Sequence, residues 1–245
     1  MISSIKDSIL DIIAYVGKIT SHVRALNYCS GSELEFCKWR CGNIRDCAAL
    51  VLKECLYTCV TLDVSFEAAV DRKMTINCRK YDKHVSKVST CISSFFLISF
   101  TFSFTLPSFC SQGSDTTCKK WTELCTMSRT HDLPELIKSI GSLPKPATDH
   151  IAEVDLDTMS ICAYSFVKDR QWECNDTPTS LVLALAGKVG ELTKLYHWTD
   201  YEHDGFISDS CRTDTIMKVA DIAIYVLRVC RCYNVDLGDL QNRQI

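Results

Sequence analysis

A chain of 245 residues can hold one large or two small domains with substantial cores. Its 47% hydrophobic and 23% charged residues are ordinary for a globular protein, and a formal net charge of −3 offers nothing to nucleic-acid phosphates, which call for a basic surface. The N-terminal MISSIKDSILDIIAYVGK has no basic leader before its apolar run and no small-residue cleavage site, so a folded helix is expected there rather than a signal peptide.

Along the chain, apolar residues recur at three- and four-residue spacing over 5–28, 44–60 and 64–82, then over 155–169, 179–197 and 214–233. Each run predicts a helix. Asn43 is placed to cap the second, with Asp46 in its first turn, and Asp63 to cap the next. Thr177 followed by Pro178 opens the fifth, and Thr213 followed by Asp214 the sixth. Outside the middle of the chain no stretch alternates with period two, so the fold class is all-α.

Sixteen cysteines are many, but Cys47, Cys55, Cys59, Cys162 and Cys230 fall inside helical apolar patterns, where free cysteine acts as a small hydrophobe. Cys37/Cys41 and Cys55/Cys59 have i,i+4 spacing, yet no CxxC occurs and no second pair follows at zinc-finger distance. Reduced, buried thiols are the expectation, and with them a cytoplasmic location.

The middle, 84–150, follows neither flank. CISSFFLISFTFSFTLPSF (91–109) is apolar but studded with Ser and Thr, short for a membrane span and without flanking charge asymmetry. A linker that packs where it can is expected, with no membrane segment. Its Phe, Ser, Leu and Pro, all residues with pyrimidine-only codons, also suggest retained non-coding sequence. HDLPELIKSIGSLPKPATDH (131–150) reads as a short helix followed by a proline-containing linker.

The flanks resemble each other. AYVGKITSHVRALNY (14–28) aligns with LAGKVGELTKLYHW (185–198), and RDCAALVLKECLYTCVTLDV (45–64) with KVADIAIYVLRVCRCYNVDL (218–237). In this reading residues 1–83 and 151–245 are two related units, each a helical hairpin followed by a short third helix starting at Asp63 or Asp236, separated by an insertion over 84–150. Two generic amphipathic hairpins are the alternative.

DRQWECNDTPTSLVLALAGKVGELTKLYHW (169–198), followed by KVADIAIYVLRVCRCYNVDLGDL (218–240), resembles the dCTP pyrophosphatase branch of the MazG-like all-α nucleoside triphosphate pyrophosphatases. Residues 153–240 carry the resemblance well. Residues 8–82 carry it more weakly, ending in AAVDRKMTINCRKYD (68–82), with Lys73, Asn77, Lys80 and Tyr81 at the family's intervals. The resemblance implies a four-helix-bundle-like MazG-type fold, here duplicated. It also implies two antiparallel helices that each present two carboxylates three residues apart on one face. Four such oxygen donors would hold Mg²⁺, and water would attack between the α- and β-phosphates to release pyrophosphate and a nucleoside monophosphate.

Here the two motifs are Lys188-Val-Gly-Glu191 and Lys218-Val-Ala-Asp221. Glu191 and Asp221 are thus the implied metal-binding and catalytic residues, while Lys188 and Lys218 stand at lost ligand positions. The matching first-half positions are Lys18, Ser21, Arg45 and Ala48; Asp46 falls on another helix face. Two positive charges replace two negative ones where a divalent cation would sit, which opposes metal binding by several kcal/mol, roughly, at intermediate dielectric. The expected alternative is two ion pairs, Lys188 with Asp221 and Glu191 with Lys218. Trp172, Trp198, Lys73, Asn77 and Lys80 match nucleotide-binding positions, although the Trp residues are also plausible core aromatics and the basic tail a plausible solvated face. That tail, present only in the first half, is placed to approach the second half's carboxylates within the same chain or from a partner chain. The Asp at 176 and Thr179-Ser180 replace polar residues typical of the family.

The resulting expectation is a Mg²⁺-dependent pyrophosphohydrolase for a dCTP-like pyrimidine nucleotide, impaired by the loss of two Glu ligands. Its alternative is a non-catalytic relative that binds nucleotide or a partner subunit. Either would act as a homo-oligomer or as an internal pseudo-dimer, without nucleic acid or membrane.

Overall fold

A computed structural model describes residues 2–29, 34–81, 133–197 and 207–235, and every regular element among these residues is helical. In chain order they are α1 (Ile2–Leu26), α2 (Leu34–Thr61), α3 (Phe66–Lys80), α4 (Leu133–Lys138), α5 (Leu156–Asp169), α6 (Pro178–Lys194) and α7 (Asp209–Cys232). Short 3₁₀ turns occupy Ser139–Ser142, Ile151–Glu153 and Glu173–Asn175. The Phe/Ser-rich run at 91–109, with its linker and non-coding readings, lies outside the described residues, as do Trp198 and the third helix expected from Asp236. No helix among the described residues is long and apolar enough to cross a membrane.

One helix start follows the expected chemistry, and a second helix opens on a cap of the same kind. The Thr177 hydroxyl accepts from Ser180 N at 3.1 Å ahead of Pro178, and Asp155 accepts from Thr158 N at 2.9 Å at the head of α5. Three expectations are corrected. The second helix begins at Leu34, so Asn43 lies inside it and its amide bonds back to Trp39 O at 2.8 Å. This extension needs no apolar stripe because local contacts support it: Lys38 pairs with Glu35 at 3.0 Å, and the Arg40 guanidinium lies over the Phe36 and Trp39 rings. The last long helix starts at Asp209 under a Ser208 cap rather than at Thr213, since buried Cys211 and Thr215 extend its apolar face N-terminally. Asp63 does not cap α3; Ser65 does, accepting from Ala68 N at 3.2 Å.

Asp63 serves the end of α2 instead. Its φ of 54° is the left-handed conformation that closes a helix, and Val64 N then donates to Cys59 O at 3.0 Å. Asn234 repeats the arrangement after α7, with φ of 49° and Val235 N donating to Cys230 O at 3.0 Å. The two hairpins therefore end in the same kind of cap.

α1 packs along α2 and α6 along α7, while α2 against α7 and α1 against α6 join the hairpins side by side. On α1, Ile5, Ile9, Ile12, Val16, Ile19 and Val23 form a single buried stripe of alternating three- and four-residue steps, as an amphipathic helix in such a group requires. The stripe belongs to one continuous core drawn from both flanks, with Leu52 and Leu56 on α2, Leu185 and Leu192 on α6, and Val219, Val226 and Leu227 on α7. α7 is the axis of the molecule. It contacts α2, α3, α5 and α6, and all residues from Val219 to Ile224 are buried, Asp221 among them.

Two arginines of the second flank close helices of the first. Arg170, 1% exposed, donates to Tyr81 O at 2.6 Å, to Cys78 O at 3.2 Å and to Phe166 O at 3.1 Å. Arg212 donates to Leu62 O at 3.1 and 2.7 Å through Nε and Nη2. Each places a cation on carbonyls that a helix C-terminus leaves unpaired, where the helix dipole favours positive charge.

Candidate functional site

The i,i+3 spacing puts Lys188 and Glu191 on one face of α6, and Lys218 and Asp221 on one face of α7. Because α6 and α7 are packed together, these faces meet. Lys218 Nζ donates to Glu191 Oε2 at 2.6 Å, and Lys188 Nζ lies 3.2 Å from both Glu191 oxygens and 3.8 Å from Asp221 Oδ2. α3 adds Lys73, whose ammonium is 2.9 Å from Asp221 Oδ2. The first flank's basic helix thus reaches the second flank's carboxylate within the same chain.

The cluster is graded in depth. The side chains of Asp221 and Lys73 are 8% and 12% exposed, those of Lys188 and Lys218 27% and 29%, and that of Glu191 41%. The hydrogen bond from Lys218, then Lys188, holds the Glu191 carboxyl below its ordinary pKa, against the opposing effect of burial. For Lys188 burial works against the charge, but Asp221 and Glu191 outweigh it and raise its pKa. Both ions are therefore fixed in their charged forms.

Mg²⁺ does not fit this arrangement. It needs hard oxygen donors around a vacant centre, whereas three ammonium groups here face two carboxylates and occupy their lone pairs. Among the described residues no three His, Cys, Asp or Glu side chains converge as metal ligands. The first-flank positions that the sequence alignment matches to the cluster residues offer no carboxylate pair: Lys18 lies over the Tyr15 ring at 5.2 Å, Arg45 bonds Asp46 at 3.1 Å, and Ala48 is buried.

The remaining residues singled out from the sequence are distributed around α3 and α5. Trp172 packs edge-on against Tyr81 at 5.5 Å and Phe166 at 5.7 Å, so its ring is built into the junction between the C-terminal ends of α3 and α5. Lys80 is exposed, with its ammonium 5.3 Å from the Tyr81 ring centre. Asn77 is half-buried, and its carbonyl accepts from Tyr81 N at 2.9 Å. Neither Lys80 nor Asn77 is brought to the Lys188–Asp221 cluster by any contact described, and Trp198 lies outside the described residues.

Two residues that matter were missed. Asp176, read only as a lost polar contact, grips Arg228 with both oxygens, at 2.9 Å through Nε and through Nη2. This fork ties the loop before α6 to α7. Arg228 lies two turns beyond Asp221, on the same face of α7, and that spacing was the available signal. Arg170 stood in the sequence as a charge within DRQW, and nothing local marks it as buried.

The described residues thus define an all-helical protein with two packed hairpins and a lysine–carboxylate cluster shared by α3, α6 and α7. Over 74 residues the chain is similar to dCTP pyrophosphatase 1 of Bos taurus, with 36% identity, and of Homo sapiens, with 34%. That stretch is 29% of this chain and 44% of each relative, so the chain spans less than half the length of the curated relatives it matches. The protein of the same name from Rattus norvegicus is 31% identical over an equal length. No protein-family model and no solved structure matches the chain.

Proposed function

We propose that this chain is a duplicated, MazG-type relative of the dCTP pyrophosphatases in which Mg²⁺-dependent hydrolysis of a pyrimidine nucleoside triphosphate is impaired. The partial similarity to dCTP pyrophosphatase 1 supports the reaction class. One observation carries the impairment: the Glu191 carboxylate already accepts from Lys218 at 2.6 Å and from Lys188 at 3.2 Å. A metal there would have to displace two ammonium ions and then sit beside them, at a cost of several kcal/mol, roughly.

The two hairpins are diverged copies that form an internal pseudo-dimer. Their side-by-side packing and matching helix caps at Asp63 and Asn234 support this. Lys73 then does within one chain what a basic tail from a partner chain would otherwise do. Glu191 and Asp221 are the surviving acids of the catalytic set, and the packing of Trp172 favours a structural role over base stacking.

Pyrophosphate release from dCTP and other nucleoside triphosphates, measured with Mg²⁺ on the purified full chain, tests the reading. Slow or absent release is expected, with recovery in Lys188→Glu/Lys218→Glu. Vigorous dCTP hydrolysis by the unaltered chain would defeat both the impairment and the alternative of a non-catalytic relative that binds nucleotide or a partner subunit.

A further inference from the structure

We infer that Glu191 is an internal counter-anion that fills a metal-free binding site for a pyrophosphate group, with Lys188 and Lys218 as its ligands. The inference rests on the preceding reading only for its nucleotide form.

The two carboxylates of the cluster are not equivalent. Asp221 is buried within α7 and anchored by Lys73 at 2.9 Å, both side chains being nearly inaccessible. Glu191 is the most exposed member, on a long side chain that reaches solvent, and an incoming anion offsets the ion pairs lost when it turns away by taking over the same ammonium groups. While it stays, one carboxylate receives three charge-assisted contacts from two ammonium groups: 2.6 Å from Lys218, and 3.2 Å to each oxygen from Lys188. Two convergent ammonium groups around a resonant pair of oxygens equally suit two oxygens of a phosphoryl group.

Once Glu191 turns away, three ammonium groups face the single carboxylate of Asp221. Lys73 neutralises most of that charge from below, so the excess lies on Lys188 and Lys218, the pair that reaches solvent. The approach is open on α6. Gly187 stands one turn before Glu191, and Gly190 beside it; beyond its chain neighbours and its own helix backbone, a Cβ at either would meet no atom of the described residues within 4 Å. The lysines that exclude a divalent cation thereby supply the positive charge that the cation would have brought to a polyphosphate.

The test is isothermal titration of the full chain with inorganic pyrophosphate in excess EDTA, repeated with dCTP and with dCMP. Pyrophosphate is expected to bind without metal, and dCMP much more weakly. Glu191→Gln should tighten binding by removing the competing anion, and Lys218→Gln should weaken it about tenfold, the scale of a charge-assisted contact. Added Mg²⁺ should weaken binding, by sequestering the ligand. Tighter binding of dCTP than of pyrophosphate assigns the site to a nucleotide; equal binding assigns it to the free anion, and both outcomes keep the inference. No binding of either ligand in EDTA overturns it, as does weaker binding by a Glu191→Gln variant whose melting matches the parent. Failure to hydrolyse dCTP leaves it standing, and dCTP hydrolysis alone does not rescue it if pyrophosphate binds only with metal.

Discussion

Glu191 shows how one residue's chemistry sets a measurable property of the fold. Its carboxyl is held below the ordinary range by Lys218 and Lys188, so its ion pairs stabilise the native state above that range. This contribution fades as pH falls through the depressed value. Melting followed from about pH 6 to about pH 3 should therefore show a steeper loss for the parent than for Glu191→Gln. Equal slopes would mean that the ion pairs contribute nothing to the native state. The cysteines make a second residue-scale case. Burial pushes the Cys59 and Cys230 thiols up to about 12, and that of Cys55 well above its ordinary value, leaving almost no thiolate at neutral pH. Brief alkylation of the native chain followed by mass spectrometry should label exposed Cys174 and spare these three. Rapid labelling of Cys55 or Cys59 would contradict the α2 packing. The burial of Cys47, Cys55, Cys59, Cys162 and Cys230 was legible in the sequence because each falls on an apolar helical stripe.

At the scale of elements, local rules read the presence of each long helix better than its ends. Thr177-Pro178 was identifiable because a cap is a short-range hydrogen bond whose donor and acceptor lie three residues apart. The start of α2 was not, since Leu34 to Asn43 project with little burial and rely on a cation over two rings. Asp63 was mistaken for a helix start because Asp suits an N-cap and a left-handed C-terminal position alike; only the backbone angle separates them. Arg170 lay beyond any local rule, because two of its three acceptors, Cys78 and Tyr81, are about ninety positions upstream. Arg170→Ala removes a buried cation and orphans three carbonyls, and denaturant unfolding should show a loss of about 3 kcal/mol. Leu185→Ala, at a fully buried position on α6, should cost a similar 2–5 kcal/mol, roughly, whereas Leu10→Ala on the exposed side of α1 should cost less than about 0.5 kcal/mol. A near-neutral Leu185→Ala would mean that the hairpins do not share this core.

At the scale of the molecule, the charge pattern was legible because it depends on few geometric facts. Two helices in contact, each with a Lys three residues before an acid, bring four ionic groups together whatever the rest of the chain does. The position of α3 was harder to see, since the sequence left open whether Lys73 meets the carboxylates from the same chain or from another. The packing of α3 on α7 supplies it in the same chain, and one continuous core binds both flanks. Sedimentation of the purified chain should accordingly show a folded species at the mass of one copy. A chain that is folded only as a dimer would move the internal pairing to a subunit interface. The account as a whole depends on ammonium ions standing where a divalent cation would bind. Calorimetric titration with Mg²⁺, on the parent chain and on Lys188→Glu/Lys218→Glu, tests this most directly. No saturable site is expected in the parent and one in the double variant; saturable Mg²⁺ binding to the parent that vanishes in Glu191→Gln would contradict it.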